Sequence, residues 1–313
     1  MVAQAYKEVF YQPFTQATGI EIINVSTGPD PIVEIRTMVE AGRYLWHMAG
    51  GLSNQAVLLL TTGKVYLEKH GLEDDPIISL IPPQFRSPYS VGTLISTIVL
   101  AYQTDTFKAR PLPKSWADLW DVDRFPGRRS LPKHPALGLI EIALMADGVR
   151  PSDVYPCNLN RAFRSLDKIK PHLAAWWAQP SQTEQMLKSG EIDLIPAFIN
   201  RVQSAINTGA PIAFTWQQHL FDCQSWAILK GTPHADACRQ FIQFASDPKR
   251  QARLTLYRMG PTQPDAFNSI DAEHAKLLPT YPDNLKKGLY TDASYWLKNQ
   301  HTVIERFNDW LLS

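Results

Sequence analysis

Apolar residues recur three or four apart over residues 3–18, placing Ala5, Val9, Phe10 and Phe14 on one helical face, and Gly19 supplies a stop. Ile20–Val25 is an apolar, β-branched run, interrupted by Glu21 and Asn24, and is expected as a strand. The breakers Ser26-Thr27-Gly28-Pro29-Asp30-Pro31 predict a loop, with a helix over 32–41 beyond it. A short apolar stretch closing on Met48-Ala49-Gly50-Gly51 leads into a helix over 53–61, and Val91–Tyr102 reads as a strand. The alternation continues: a capped helix at Ser115–Trp120, a short strand at Arg129–Leu131, and helices over 136–147, 159–169 and 182–188. Strands are expected at Ile192–Phe198 and Phe221–Leu229, then helices at 234–246, 248–258 and 293–311. Strands interleaved with helices predict α/β layers around a mainly parallel sheet.

Composition narrows the class without naming a function. A chain of 313 residues is long enough for about two domains of ~150 residues each. Lys plus Arg number 31 and Asp plus Glu 30, so the net charge of +1 offers no general attraction to nucleic acid or anionic membranes. No apolar run is long enough to span a bilayer, and Met1-Val2-Ala3-Gln4 opens neither a basic nor an apolar signal region. Cys157, Cys223 and Cys238 form no C-x-x-C pair, and the eight histidines show no metal-ligand spacing. Neither metal nor cofactor is expected, and the cysteines read as apolar fillers with at most one disulfide.

Catalytic signatures are equally absent. There is no G-x-S-x-G elbow, P-loop or G-x-G-x-x-G turn. Asp74-Asp75 and the Asp271/Glu273 pair sit in polar contexts and read as solvated. His134 beside Lys133 is the one conceivable general base, so an enzyme stands as the rival class and no catalytic residue is assigned.

Several segments in order carry a resemblance. They are Gln12-Pro13-Phe14-Thr15-Gln16-Ala17-Thr18-Gly19-Ile20, then Lys114-Ser115-Trp116-Ala117-Asp118-Leu119-Trp120-Asp121 with Phe125-Pro126-Gly127-Arg128-Arg129. Next come Leu166–Pro171, Trp176-Trp177, Ser189–Asp193, Trp226–Gly231, Gly260–Pro264 and Leu278–Leu285, ahead of a Tyr295-Trp296 helix. Together they resemble the periplasmic solute-binding proteins of ABC importers, in particular the spermidine/putrescine-binding-like group. The resemblance implies a type II periplasmic binding fold: two α/β lobes joined by a hinge, with the ligand cleft between them. Lobe one would combine 1–102 with 232–313, and lobe two would be 103–231. The partners implied are a small-molecule solute and an inner-membrane permease, with no nucleic acid, for a monomer working in the periplasm. A module feeding a receptor would share the same lobes.

That group carries a strand and a glycine-rich loop ahead of the helix at 3–18. The expectation is that Met1 is an internal or mis-assigned start, or the start of a trimmed chain, with the secretion signal, the first strand of lobe one and one binding loop upstream. Motif by motif, the resemblance implies a ligand set of Gly50, Gly51 and Ser53 from lobe one. It adds His134, Trp177, Gln179, Ser181, Phe198, Asn200 and Arg201 from lobe two, with Asp222 and Gln224 on the strand before Trp226. Phe198 replaces the tryptophan of the group's "WNG" turn, and Lys133-His134 replaces acidic residues. If Lys133 and Arg201 face the cleft, with Arg201 offsetting Asp222, a spermidine pocket is disfavoured and an anionic, zwitterionic or neutral ligand favoured. Amines, amino-acid derivatives and small acids all stay open.

Overall fold

A computed structural model describes residues 2–25, 30–257 and 259–312. Met1 and the Ser26-Thr27-Gly28-Pro29 breakers lie outside the described residues. The strands are β1 Met48–Ser53, β2 Leu67–Glu68, β3 Arg86–Ser87, β4 Ser90–Gln103, β5 Arg129–Pro132, β6 Leu173–Trp177, β7 Leu194–Phe198, β8 Ile212–Leu229, β9 Gly260–Pro261 and β10 Leu289–Tyr290. The chain divides into unit 1, Met1–Ser96 with Asp222–Tyr281, and unit 2, Thr97–Phe221 with Pro282–Ser313. Strands β4 and β8 run through both.

In unit 1 the chain enters through helical turns at Val2–Tyr6, Lys7–Tyr11 and Gln12–Thr18, which stop at Gly19 with φ +75°. The predicted stripe buries Val9, Phe10 and Phe14. Phe14 meets Phe241 at 5.3 Å between ring centroids, Tyr6 meets Trp226 at 4.9 Å, and Trp226 meets Phe241 at 5.1 Å. Asp30 caps the helix Pro31–Ala41 by accepting from the Ile32 and Val33 amides at 3.1 and 3.2 Å. This helix and Asn54–Thr61 turn Ile35, Met38, Val57 and Leu60 onto Leu67, Ala227 and Leu229 of the sheet.

Two expectations fail in this unit. Ile20–Val25 is not a strand; Ile23 is 76% exposed and Val25 47%. β-Branched side chains favour extended backbone, but a strand also needs a neighbouring edge, and no described strand pairs with this segment. The sheet is also mixed rather than mainly parallel. β1 and β2 pair antiparallel with β8, and β3 and β9 pair antiparallel with β4. In unit 2, β4 runs antiparallel to β7, whereas β5–β6, β5–β7 and β10–β8 are parallel.

Gly92 shows how tightly β4 is seated. A Cβ there would lie 2.5 Å from the Phe85 carbonyl oxygen and 2.7 Å from the Cys223 sulfur. Gly92→Ala is therefore expected to destabilise unit 1 by about 1–3 kcal/mol. Urea unfolding checks this as a lower midpoint with an unchanged slope.

In unit 2 the period of two along β4 sorts its side chains into two cores. Ile98, Leu100 and Tyr102 join Trp116, Ile142, Leu166, Trp296 and Phe307 on one face. Val99 and Ala101 join Trp177, Leu187, Ile195, Ala197 and Val202 on the other. Both faces are covered, so Ile98–Tyr102 of β4 form a continuous apolar run instead of an alternating one. The capping box at Ser115 forms as expected, Asp118 accepting from the Ser115 amide at 3.0 Å. Trp116 donates its indole N–H to the Gln218 carbonyl at 2.7 Å, where Gln218 holds φ +58° inside β8.

Further expectations shift here. β8 begins nine residues before Phe221, through the polar Thr215–His219 stretch that broke the sequence pattern. The regular helix predicted over 136–147 is confined to Ile140–Ala146. Gly138 takes φ +81° just before it, and a Cβ there would meet Leu220 at 2.3 Å. β6 and the helix Ile199–Asn207 were not predicted. The C-terminal helix Ala293–Leu312 belongs to unit 2 and not with the first lobe: Trp296 donates to Glu141 at 2.7 Å and Trp310 to Asp167 at 2.6 Å. The unit boundaries accordingly fall at 96/97, 221/222 and 281/282, not at 102 and 231.

Candidate functional site

In unit 1 the antiparallel pairing of β1 with β8 sets Ala49 opposite Ala227, Leu52 opposite Ser225 and Ser53 opposite Gln224. The register slips between Ala49 and Leu52, so Gly50 and Gly51 form a bulge. The bulge requires glycine twice over. Gly51 has φ +79°, and a Cβ on Gly50 would lie 2.1 Å from the Trp226 indole. Backbone therefore rests directly on the Trp226 ring, and the Gln224 amide oxygen lies beside Gly51.

Ser53 ends the bulge and starts a helix. Its hydroxyl accepts from the Ala56 amide at 3.2 Å, capping Asn54–Thr61. Asp222, half-buried on β8, reaches the same helix start: its carboxyl accepts from the Cys223 amide at 2.8 Å and from the Asn54 amide. No cation pairs with it among the described residues. Burial pushes the Asp222 carboxyl up to about 7, against the two amide donors that favour its ionised form. Five of the sequence-selected residues, Gly50, Gly51, Ser53, Asp222 and Gln224, thus meet at one corner of unit 1.

Gly50, Gly51 and Trp226 also border an open cavity of about 810 Å³, lined as well by the 20–25 segment, Tyr6, Tyr11 and Trp46. The Tyr6 hydroxyl and the Trp226 indole N–H have no hydrogen-bond partner among the described residues.

The unit 2 candidates separate into accessible and inaccessible groups. Gln179 heads the helix Pro180–Lys188, where Gln182 accepts from the Ala178 and Gln179 amides at 2.7 and 2.8 Å; Ser181 is exposed in its first turn. Phe198, opposite Ile98, ends β7 and heads the helix Ile199–Asn207; it and Asn200 are half-buried. Trp177 is a correction: it is fully buried among Leu187, Ile195 and Val202, a core position rather than a ligand wall. The Arg201 guanidinium sits 3.3 Å from Glu184. Burial alone would raise the Glu184 carboxyl, but donors from Lys188, Ser204 and Arg201 hold it below the usual carboxylate range. Lys133 and His134 are exposed, and the His134 ring accepts from the Ala136 amide at 3.3 Å, capping the turn after it.

All three cysteines are free and buried, so the single disulfide left open by the sequence does not form. Among the described residues no His, Cys, Asp or Glu cluster could hold a metal, and no helix is long and apolar enough to cross a membrane. Sequence reading passed over Asn54 and assigned Trp226 no contact. The Gly-Gly doublet was the available signal, since adjacent glycines mark close backbone approach.

This α/β architecture is that of the substrate-binding proteins of ABC importers. A solved ABC transporter substrate-binding protein from Bradyrhizobium japonicum USDA 110 matches with a TM-score of 0.91 at 35% identity, over 98% of this chain and 95% of that one. The chain belongs to the bacterial extracellular solute-binding protein family, whose model matches residues 10–280. It is 30% identical over 312 residues to a gamma-aminobutyric acid-binding protein of Pseudomonas aeruginosa, covering 98% of this chain and 87% of the relative. It is 24% identical over 298 residues to a spermidine/putrescine-binding periplasmic protein of Haemophilus influenzae, covering 92% and 78%. Solute capture for import is the family's work, done with a permease partner.

Proposed function

We propose that this chain captures a small organic solute bearing an ammonium group, an amino-acid derivative or short amine, in the periplasm and hands it unchanged to an ABC permease. The observation that carries the ligand class is Asp222: a half-buried carboxyl with backbone donors and no cationic partner among the described residues, on the strand that pairs with the glycine bulge. An ammonium completes that corner by charge-assisted hydrogen bonding. The names of the relatives, which bind gamma-aminobutyric acid and spermidine or putrescine, support the same chemistry. Gly50, Gly51 and Gln224 shape the corner in this reading, and Ser53 holds its helix in place. Phe198, Asn200, Gln179 and Ser181 are the candidates that unit 2 contributes; Trp177, Arg201 and His134 serve its own packing, pairing and capping. The protein acts as a monomer, without catalysis and without nucleic acid.

A thermal-shift screen of gamma-aminobutyrate, putrescine, spermidine and succinate tests the ligand class. A true ligand at 100 times its Kd adds about 2.7 kcal/mol of stability. At least one amine is expected to raise the melting temperature and to be recovered chemically intact by mass spectrometry. Phe198→Ala is expected to reduce the shift. Stabilisation by succinate and by none of the amines, or a solute recovered altered, overturns the reading.

A further inference from the structure

The open cavity of unit 1 is bordered by two stretches of backbone that lack strand partners: β1, from Met48 to Leu52, and the Ile20–Val25 segment. Among the described residues β8 is the only strand beside β1, so alternate N–H and C=O groups of β1 point away from β8 without a ladder. Glu21–Val25 makes no backbone hydrogen bond to any described residue. Sheet edges are ordinarily guarded by charge or proline. Met48-Ala49-Gly50-Gly51-Leu52-Ser53 has neither, and its glycine bulge is the one interruption. The cavity's remaining wall is apolar and aromatic, with Ala237, Cys238 and Phe241 of the helix Ala235–Ala245 joining Tyr6, Tyr11 and Trp226. The Tyr6 hydroxyl and the Trp226 indole N–H are buried there without partners among the described residues, and Ile23, Val25 and Leu45 stand exposed around it.

We propose that this slot takes up an extended segment of a partner polypeptide as an added strand beside β1, with uncharged, apolar side chains at alternate positions. Size agrees. At ~3.4 Å of rise, ~4.8 Å between strands and ~10 Å between layers, a volume of about 810 Å³ holds roughly five strand residues. Chemistry agrees too. An apolar small molecule covers the aromatic wall but leaves the backbone edges unpaired. A peptide backbone supplies N–H and C=O groups to both edges and carbonyl acceptors within reach of buried donors such as the Trp226 indole, while its alternate side chains cover Phe241 and Tyr11. Main-chain bonding sets the affinity in this mode, and the uncharged wall selects against charged side chains on the inward face. The proposal does not depend on which solute the protein captures.

The test is amide hydrogen exchange of the full chain, read by mass spectrometry over 20–25 and 48–53, with and without a capped heptapeptide alternating valine and threonine. A second peptide of the same sequence, N-methylated at alternate peptide bonds, keeps the side chains and loses the ladder. Expected is exchange about tenfold slower in both segments at ten times the Kd of the first peptide, with no change from the second. Ala237→Trp, which puts an indole into the slot from the helix, is expected to weaken the first peptide at least tenfold while the melting temperature stays within a few degrees of wild type. Protection of both segments before any peptide is added means that they pair with each other, and overturns the proposal. Equal protection by the methylated peptide makes the slot an apolar-molecule site instead. A dimer in sedimentation that the first peptide dissociates assigns the edge to a second copy. No protection at millimolar peptide also overturns it, and none of these outcomes touches the solute reading.

Discussion

Asp222→Asn is expected to weaken binding of a cationic solute on the order of 10–100-fold at pH 8, where the wild-type carboxyl is ionised. The size follows from a charge-assisted hydrogen bond to a half-buried carboxylate, roughly 1.5–3 kcal/mol. Asparagine keeps the shape and one oxygen acceptor for the Cys223 amide, so the fold should persist while the negative charge is removed. Calorimetric titration with gamma-aminobutyrate measures it. Asp74→Asn, which removes an exposed carboxylate from the same unit, is expected to leave affinity within twofold. Equal losses in both variants would point to a diffuse field in place of a local contact.

Trp296→Ala is expected to cost unit 2 about 3–5 kcal/mol, the usual range for deleting a fully buried indole. The ring packs the C-terminal helix into the core, and its N–H donates to Glu141 at 2.7 Å, alongside the Tyr155 hydroxyl at 2.6 Å. Burial raises the Glu141 carboxyl above its ordinary value despite those donors. The folded state therefore holds its proton more tightly than the unfolded chain, so this residue's contribution is greatest below the unfolded value and is lost as pH rises through the folded one. Denaturant unfolding should show the large loss in Trp296→Ala. Glu141→Gln, which keeps an acceptor and removes the titration, should flatten the decline in stability with rising pH. A Trp296→Ala loss below 1 kcal/mol would mean that the helix is not held by this contact.

Much of the local structure was legible in the chain. The stripe Ala5, Val9, Phe10, Phe14 with Gly19, the Ser115–Asp118 capping box and the Leu159–Ile169 helix all depend on interactions within four residues, and each formed as the spacing predicts. The resemblance carried over scattered motifs likewise led to the right family, because those motifs are short and keep their order. Ile20–Val25 went the other way: apolar, β-branched residues prefer extension, but a ladder needs a partner that the segment itself does not encode. Strand direction was equally hidden, since parallel and antiparallel neighbours can bury the same apolar run.

The site divides along the same line. From the sequence, only the resemblance to the solute-binding group pointed to Gly50, Gly51, Asp222 and Gln224 as a ligand set. That no cation pairs with Asp222 among the described residues, that Arg201 pairs with Glu184, and that Trp177 is sealed inside a core were decided only by the tertiary structure. Charge pairing and burial depend on distances between residues far apart in the chain, which side-chain identity cannot specify until the backbone has brought them together.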